Sequence, residues 1–189
     1  LLCGKDNILI KGYSNVGLKY NVIGNGNYID LLGVQGKNIS IYVRGSNNKI
    51  VVKDGCQIRD TILWIEGNDC RIIIGEDTTI ESGVLAAIDE STVLEIGRDC
   101  MLSTNISIRT GDSHPIYNIG SQERLNPSRN IFIGNHVWLG ASATILKGVS
   151  VGDNAIVGAH SLVTRNVSES SLAAGVPAKE IRTRIYWKR

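Results

Sequence analysis

From Asn130 to Asn166 the chain keeps a beat of six residues. Ile133, Leu139, Ile145, Val151, Val157 and Val163 all fall on it. Two positions ahead of each stands a small or apolar residue: Ile131, Val137, Ala143, Val149, Ala155 and Ser161. An α-helix repeats every ~3.6 residues and a strand every two, so neither accounts for the pattern. A sustained period of six belongs to a parallel β-helix. Each unit is then a short strand and a tight turn, and three units close one triangular coil. The recurrent aliphatic is expected to point into the prism. Gly follows it at 134, 140, 152 and 158 and is expected to supply the backbone torsions of the corner.

The N-terminal half carries a looser version. Ile29, Ile50, Ile72 and Leu94 head comparable segments 21 or 22 residues apart, against 18 for three hexads. Each of these coils is therefore expected to carry three or four extra residues at a corner, where Asn and Gly suit left-handed conformations. Residues 1–23 read as a ragged first coil, as terminal coils of solenoids are. The strict beat returns at Ile96, Leu102 and Ile108 and then stops. Residues 110–129 hold no periodic aliphatic and two of the three prolines, which predicts a loop on the flank, where function concentrates. The chain thus reads as one β-helix domain over 1–189. It has irregular N-terminal coils at 1–109, the loop at 110–129, regular coils at 130–168 and a cap at 169–189. In the cap, Gly175 and Pro177 mark a turn, and Ile181 and Ile185 stand four apart, which predicts a short C-terminal helix.

Net charge is +2 and gives no reason to expect nucleic acid. The charge is uneven: residues 176–189 hold five Lys or Arg and one Glu, so the body before them is net negative. Such a basic tail suits phosphate groups. The four Cys show no C-x-x-C pair and no zinc-type spacing. Cys70 and Cys100 share a G-x-D-C context and read as reduced packing residues in equivalent repeat positions. No metal is expected. No apolar run reaches the ~18 residues of a membrane span. No secretion signal is visible, so the expected location is cytoplasmic. The start at Leu1 without Met points to a trimmed upstream segment.

Four motifs then stand together: G-D-S-H-P (111–115), I-G-N-H-V-W-L-G-A (133–141), V-G-A-H-S-L-V-T-R (157–165) and A-A-G-V-P-A-K (173–179). Over roughly residues 94–182 the chain resembles the hexapeptide-repeat acyltransferases. It is most similar to their sugar and polysaccharide O-acetyltransferase branch, including capsule enzymes that modify sialic acid polymers. The resemblance implies an all-β, left-handed parallel β-helix of hexapeptide repeats with one protruding loop. It also implies a homotrimer, acetyl-CoA in a groove between adjacent subunits, and a sugar or polysaccharide acceptor. Periodicity implies none of the handedness, the trimer or the cofactor, and left-handed coiling runs against the usual crossover rule.

Acetyl transfer from a thioester to a hydroxyl needs a base near the attacking oxygen, and imidazole titrates near ~6.5 in model peptides. His114, in the loop that resembles the family's catalytic-histidine loop, is the candidate base. Asp112 either orients that imidazole or forms the turn. Trp138 lies between inward Val137 and Leu139 and so should point outward. By resemblance it lines the site near the acetyl group or the acceptor, and otherwise it is a trimer contact. The resemblance places Ala141, Ala159 and Thr164 along the pantetheine arm. It places Arg165, Lys179 and Arg182 near the CoA nucleotide and phosphates. Ala141 stands where some sugar acetyltransferases have Ser. His136 and His160 read as corner residues. Two rivals remain. One is a γ-class carbonic anhydrase with zinc on His114, His136 and His160, spaced 22 and 24 apart, although the close His pair of that family is missing. The other is a non-catalytic β-helix binding module. The Asn- and Tyr-rich N-terminal coils and loop 110–129 are expected to shape the acceptor site, and Arg109, Arg124 and Arg129 leave an acidic polymer open.

Overall fold

The computed structural model describes residues 1–12 and 14–189, and the regular elements among them are all strands. The chain visits three sheets in turn: face A of eight strands, face B of seven and face C of nine. Within a face, neighbouring strands are parallel and one coil apart in sequence, up to a final antiparallel strand on face C. This is a three-sided β-helix of about seven coils.

The six-residue beat holds residue by residue. Ile133 pairs with Val151 on face B, Leu139 with Val157 on face C, and Ile145 with Val163 on face A. All six are buried, as are the residues two positions ahead of each. The column continues into the looser half, where Ile29, Ile50, Ile72, Leu94 and Ile131 are successive partners on face B. The core is this stack of aliphatic rungs, each side chain contributing ~1.5–3 kcal/mol by leaving water.

The glycines after the aliphatics work differently from the sequence expectation. Gly134, Gly140, Gly152 and Gly158 lie outside the left-handed region. They are required by close approach: a Cβ on Gly134 would stand 2.3 Å from Asp153 Oδ1, and one on Gly152 would stand 2.4 Å from the Glu169 nitrogen. The left-handed torsions fall two residues later, on His136, Ser142, Asn154 and His160.

The extra residues of the N-terminal coils also lie elsewhere than expected, chiefly in the strands of face A rather than at a corner. Ser40–Arg44, Thr61–Glu66 and Gly83–Ile88 run five or six residues, whereas Thr144–Ile145 and Leu162–Val163 have two. Face A is therefore broad below loop 110–129 and narrow above it.

Buried corner side chains tie each coil to the next. Asn27 Nδ2 donates to the Gly45 carbonyl (3.0 Å), Asn48 Nδ2 to Gly67 (2.9 Å) and Cys70 Sγ to Asp89 (2.7 Å). At the next corner Cys56, Thr78 and Cys100 do the same for Gly75, Gly97 and Gly134. Cys56, Cys70 and Cys100 are thus free buried thiols, and Cys3 is exposed. Cys70 and Cys100 lie on two different corners rather than in the equivalent positions their shared context suggested. Burial pushes the Cys56 and Cys100 thiols up to about 11.

The expected C-terminal helix is replaced by a hairpin. Ser171–Gly175 and Ala178–Thr183 pair antiparallel on face C, turning at Gly175 (φ 103°). The last strand of a solenoid presents unpaired N–H and C=O groups. A returning strand satisfies them, and a helix would not. Ile181 is exposed and Ile185 half-buried, so their spacing builds no packed helical stripe.

Candidate active site

Loop 110–129 leaves the prism between Ile106–Arg109 of face A and Ile131–Ile133 of face B, at the A–B edge. Its root is held residue by residue. Arg129 N donates to the Thr110 carbonyl (2.9 Å) and closes the neck. The buried Thr110 hydroxyl accepts from Ile88 N (2.8 Å). Arg109 donates to Ser113 Oγ (3.0 Å). Asp112 Oδ2 accepts from Lys147 Nζ (2.5 Å) and Asn126 Nδ2 (2.8 Å). Asn126 Nδ2 also donates to the His114 carbonyl (2.9 Å), and Lys147 Nζ to the Asn126 carbonyl (3.0 Å). Further along, Asp89 accepts from Arg124 (2.5 Å) and Ser128 (2.6 Å). The backbone on which His114 sits is therefore pinned on both sides. Its imidazole has no hydrogen-bond partner among the described residues and is exposed.

The brace is ionic at neutral pH. The Lys147 ammonium holds the Asp112 carboxyl below the usual carboxylate range against an opposing push from desolvation, and Asn126 adds to the effect. Desolvation pushes the Asp89 carboxyl up, but the Ser128 hydroxyl and Arg124 guanidinium together outweigh it and the group lies low. Asp112 thus neither orients the imidazole nor merely shapes a turn; it fixes the loop through Lys147. Sequence reasoning passed over Lys147 and Asn126. Lys147 stands 35 residues from Asp112, in a corner slot that any polar residue fills.

Beyond the root the loop forms a small finger. Leu125 N donates to the Ile116 carbonyl (2.7 Å) and Asn118 N to Glu123 (2.9 Å). Ile116, Tyr117, Ile119 and Leu125 are all more than half exposed on it, Ile119 at 95%.

Trp138 points outward from face C, as expected, between Met101 and Ile156 in register. Beside it lies an element the sequence did not announce. The C-terminal tail folds back along the B–C edge, where Trp187 stacks on His136 (ring centroids 4.0 Å apart, planes 9° apart) and sits 6.1 Å from Trp138. Trp187 Nε1 donates to the His136 carbonyl (2.9 Å), and His136 Nδ1 lies 2.6 Å from Asp99. Arg189 bonds Asp99 Oδ1 (2.9 Å) and the Cys100 carbonyl (2.8 Å). Desolvation raises the Asp99 carboxyl, but His136 and Arg189 hold it low. His136 is a left-handed corner residue, as read, and also the seat of this latch. Arg189, one of the five basic residues of the tail, is spent here rather than on phosphate.

The other candidate residues fall into three groups. Ala141 and Ala159 stack on the C–A edge, joined by the His160 N to Ala141 carbonyl bond (2.8 Å). Thr164 and Arg165 are exposed on the A–B edge, two coils along from the loop. Lys179 and Arg182 lie on the closing strand of face C, the face of Trp138. In a triangular prism the A–B edge lies opposite face C, so a single chain keeps His114 and Trp138 apart. The three histidines occupy three different edges, because 24 residues are one 18-residue coil plus one rung. The stacked arrangement needed by the zinc rival is therefore absent from the single chain.

The chain is similar in sequence and fold to known proteins. The family "Bacterial transferase hexapeptide (six repeats)" matches residues 130–165. The polysialic acid O-acetyltransferase of Escherichia coli O1:K1 / APEC is 35% identical over 133 residues, which are 70% of this chain. The matched stretch spans only 42% of that relative's own length. Among solved structures, the polySia specific acetyltransferase NeuO has a TM-score of 0.82 at 31% identity, covering 98% of this chain and 86% of that one. The polysialic acid O-acetyltransferase OatWY has a TM-score of 0.85 at 30% identity, covering 100% and 92%.

Proposed function

Since the chain belongs to the hexapeptide-repeat acyltransferases, we propose that it moves an acetyl group from acetyl-CoA to a sugar hydroxyl of a bacterial surface glycan or its precursor. The observation that carries this reading is the braced, unpartnered imidazole of His114 on the loop that interrupts the solenoid. A base held on a fixed backbone and free at its ring nitrogens suits proton transfer in a ternary complex. His114 removes the proton from the acceptor hydroxyl as that oxygen bonds to the acetyl carbonyl carbon. As the carbon–sulfur bond breaks, His114 returns the proton to the departing sulfur. No covalent enzyme intermediate is required.

The small residues fit the thin arm of CoA. Ala141 and Ala159 leave the C–A edge without protruding side chains, and Arg165, Lys179 and Arg182 are exposed cations suited to phosphate oxygens. Trp138, from face C of a neighbouring copy, closes the acetyl end. The proposed assembly is a homotrimer, with each site between two copies. The exposed apolar finger at 116–125 supports that reading, since clustered apolar side chains in water mark contact surfaces. The proposed location is the cytoplasm, where acetyl-CoA is available. No helix among the described residues is long and apolar enough to cross a membrane.

The test is transfer of labelled acetyl from acetyl-CoA to oligosaccharides, with the product mapped by NMR. His114→Ala should lower kcat by about 10²–10⁴-fold while leaving the unfolding transition in place, since the side chain is exposed. A folded His114→Ala protein with near wild-type turnover removes the base assignment. Absence of CoA binding at millimolar ligand removes the function.

A further inference from the structure

The C-terminal tail ends beside Trp138, and the two flanks of that side chain differ. Trp138 stands outward from a strand of only two residues. Along the prism axis it has Met101 on one side and Ile156 on the other. Toward the C–A edge, Gly140 has no side chain, and Ala141 and Ala159 beyond it are small. Toward the B–C edge stand His136 and, stacked on it, Trp187. The rings of Trp138 and Trp187 lie 6.1 Å apart and are tilted by 49°, a spacing at which tilted aromatic pairs attract. Among the described residues no other aromatic ring pairs with Trp138.

Trp187 is buried, yet it lies outside the cluster of side chains that fills the prism. Its neighbours Tyr186 and Lys188 are exposed. Two anchors hold it. Its Nε1 donates to the His136 carbonyl (2.9 Å), and His136 Nε2 lies 3.2 Å from the Trp187 carbonyl. Two residues on, Arg189 donates to Asp99 Oδ1 (2.9 Å), Thr79 Oγ1 (3.2 Å) and the carbonyls of Asp77 (3.2 Å) and Cys100 (2.8 Å). Asp99 and Cys100 lead into Met101, and His136 stands two residues before Trp138. Ordering a chain end costs conformational entropy, and here the compensating contacts gather beside Trp138. An outward indole turns about two side-chain torsions. The Trp187 ring blocks the turn toward the B–C edge and leaves the small-residue side open. We propose that Trp187 is a positioning residue for acetyl transfer. It backs the Trp138 indole and keeps it beside Ala141 and Ala159, so that the wall of the site is set before the acetyl group arrives. The effect on rate rests on the acetyl-transfer reading and the place given there to Trp138; the support of one ring by the other does not.

Two readouts on the full chain test it. In protein labelled with fluorotryptophan, fluorine NMR gives a signal for each of the three Trp, and Trp138→Phe assigns that of Trp138. Trp187→Ala should move the Trp138 signal and leave that of Trp64 in place. In steady-state acetyl transfer, Trp187→Ala should lower kcat by about tenfold or more, with KM for acetyl-CoA within about twofold of wild type, because the contact acts on geometry in the transition state rather than on cofactor binding. Trp187→Phe, which keeps a ring, should recover most of the rate. Should Trp187→Ala fail to fold, Trp187→Leu, which keeps apolar volume over His136 without a ring, carries the same test. A Trp138 signal that stays in place overturns the proposal, as does a Trp187→Phe protein no faster than Trp187→Ala. A change of oligomeric state on Trp187→Ala also overturns it, by assigning the ring to a contact between copies. A shifted Trp138 signal in a protein whose wild type transfers no acetyl group keeps the ring pair and removes the acetyl-transfer reading. Loss of turnover in Trp138→Ala with Trp187→Ala at full rate does the reverse.

Discussion

Lys147→Met separates positioning from folding in the His114 loop. The substitution keeps the aliphatic stem and removes an ammonium that contacts Asp112 Oδ2 at 2.5 Å and the Asn126 carbonyl at 3.0 Å. The Asp112 side chain is 47% exposed and that of Lys147 21%, so water replaces much of the lost partner. The stability cost is therefore that of a screened ion pair, about 0.5–1 kcal/mol. In a chain of this length that lowers Tm by roughly 1–4 °C. Turnover should respond far more. Asp112 and Asn126 hold the backbone on either side of His114, and a misplacement of ~1 Å at a reacting group costs on the order of 10²-fold. The expected result is a kcat ~10–100-fold lower beside a small Tm shift, measured at one protein concentration because assembly contributes to Tm. Lys147→Arg should recover part of the rate. Asp112→Asn combined with Lys147→Met should lose little more than Lys147→Met alone, because the Met change already removes the Asp112 contact together with that to the Asn126 carbonyl. A folded Lys147→Met protein within twofold of wild-type kcat would refute the brace, and a collapse of Tm matching the activity loss would make Lys147 a folding residue.

Two further outcomes test the latch and the buried thiols. The Asp99 carboxyl has a depressed folded pKa, so its contacts add stability above the unfolded value near ~3.9 and lose it as pH falls through the folded value. Acid below about pH 4 should therefore free the tail and red-shift Trp187 emission before far-UV dichroism changes; emission that moves only with global unfolding would count against a separate latch. At pH 8 a maleimide should label Cys3 alone in the native protein and four thiols after unfolding, since only Cys3 is exposed. With pKa values of about 11, Cys56 and Cys100 hold only about one thiolate in 10³ at that pH, and rapid native labelling of a second thiol would show that the coils open.

The regular coils were legible because the choice between inward and outward repeats within a few residues. Every rung from Ile133 to Val163 needs one aliphatic and a small residue two positions earlier, and the covalent order alone states it. The loop was legible as an interruption of that rule, and the outward setting of Trp138 through its place between inward Val137 and Leu139. Other features depend on what meets after winding. Ile181 and Ile185 fit a helix as well as a strand, and the open edge of Ser171–Gly175 decided for the strand. Gly134 and Gly152 are excused from bearing a Cβ by the coil above, which no local pattern reports. Asp112 finds Lys147 across 35 residues, and His136 finds Trp187 across 51.

The sequence by itself determined the rungs, their spacing and the place where they break, because burial against the axis recurs at a fixed covalent interval. Only the tertiary structure decided which edge each polar residue occupies and which partners brace it. It also placed Tyr42, Trp64 and Arg109 in one row, because outward side chains acquire neighbours only through the stacking of separate coils.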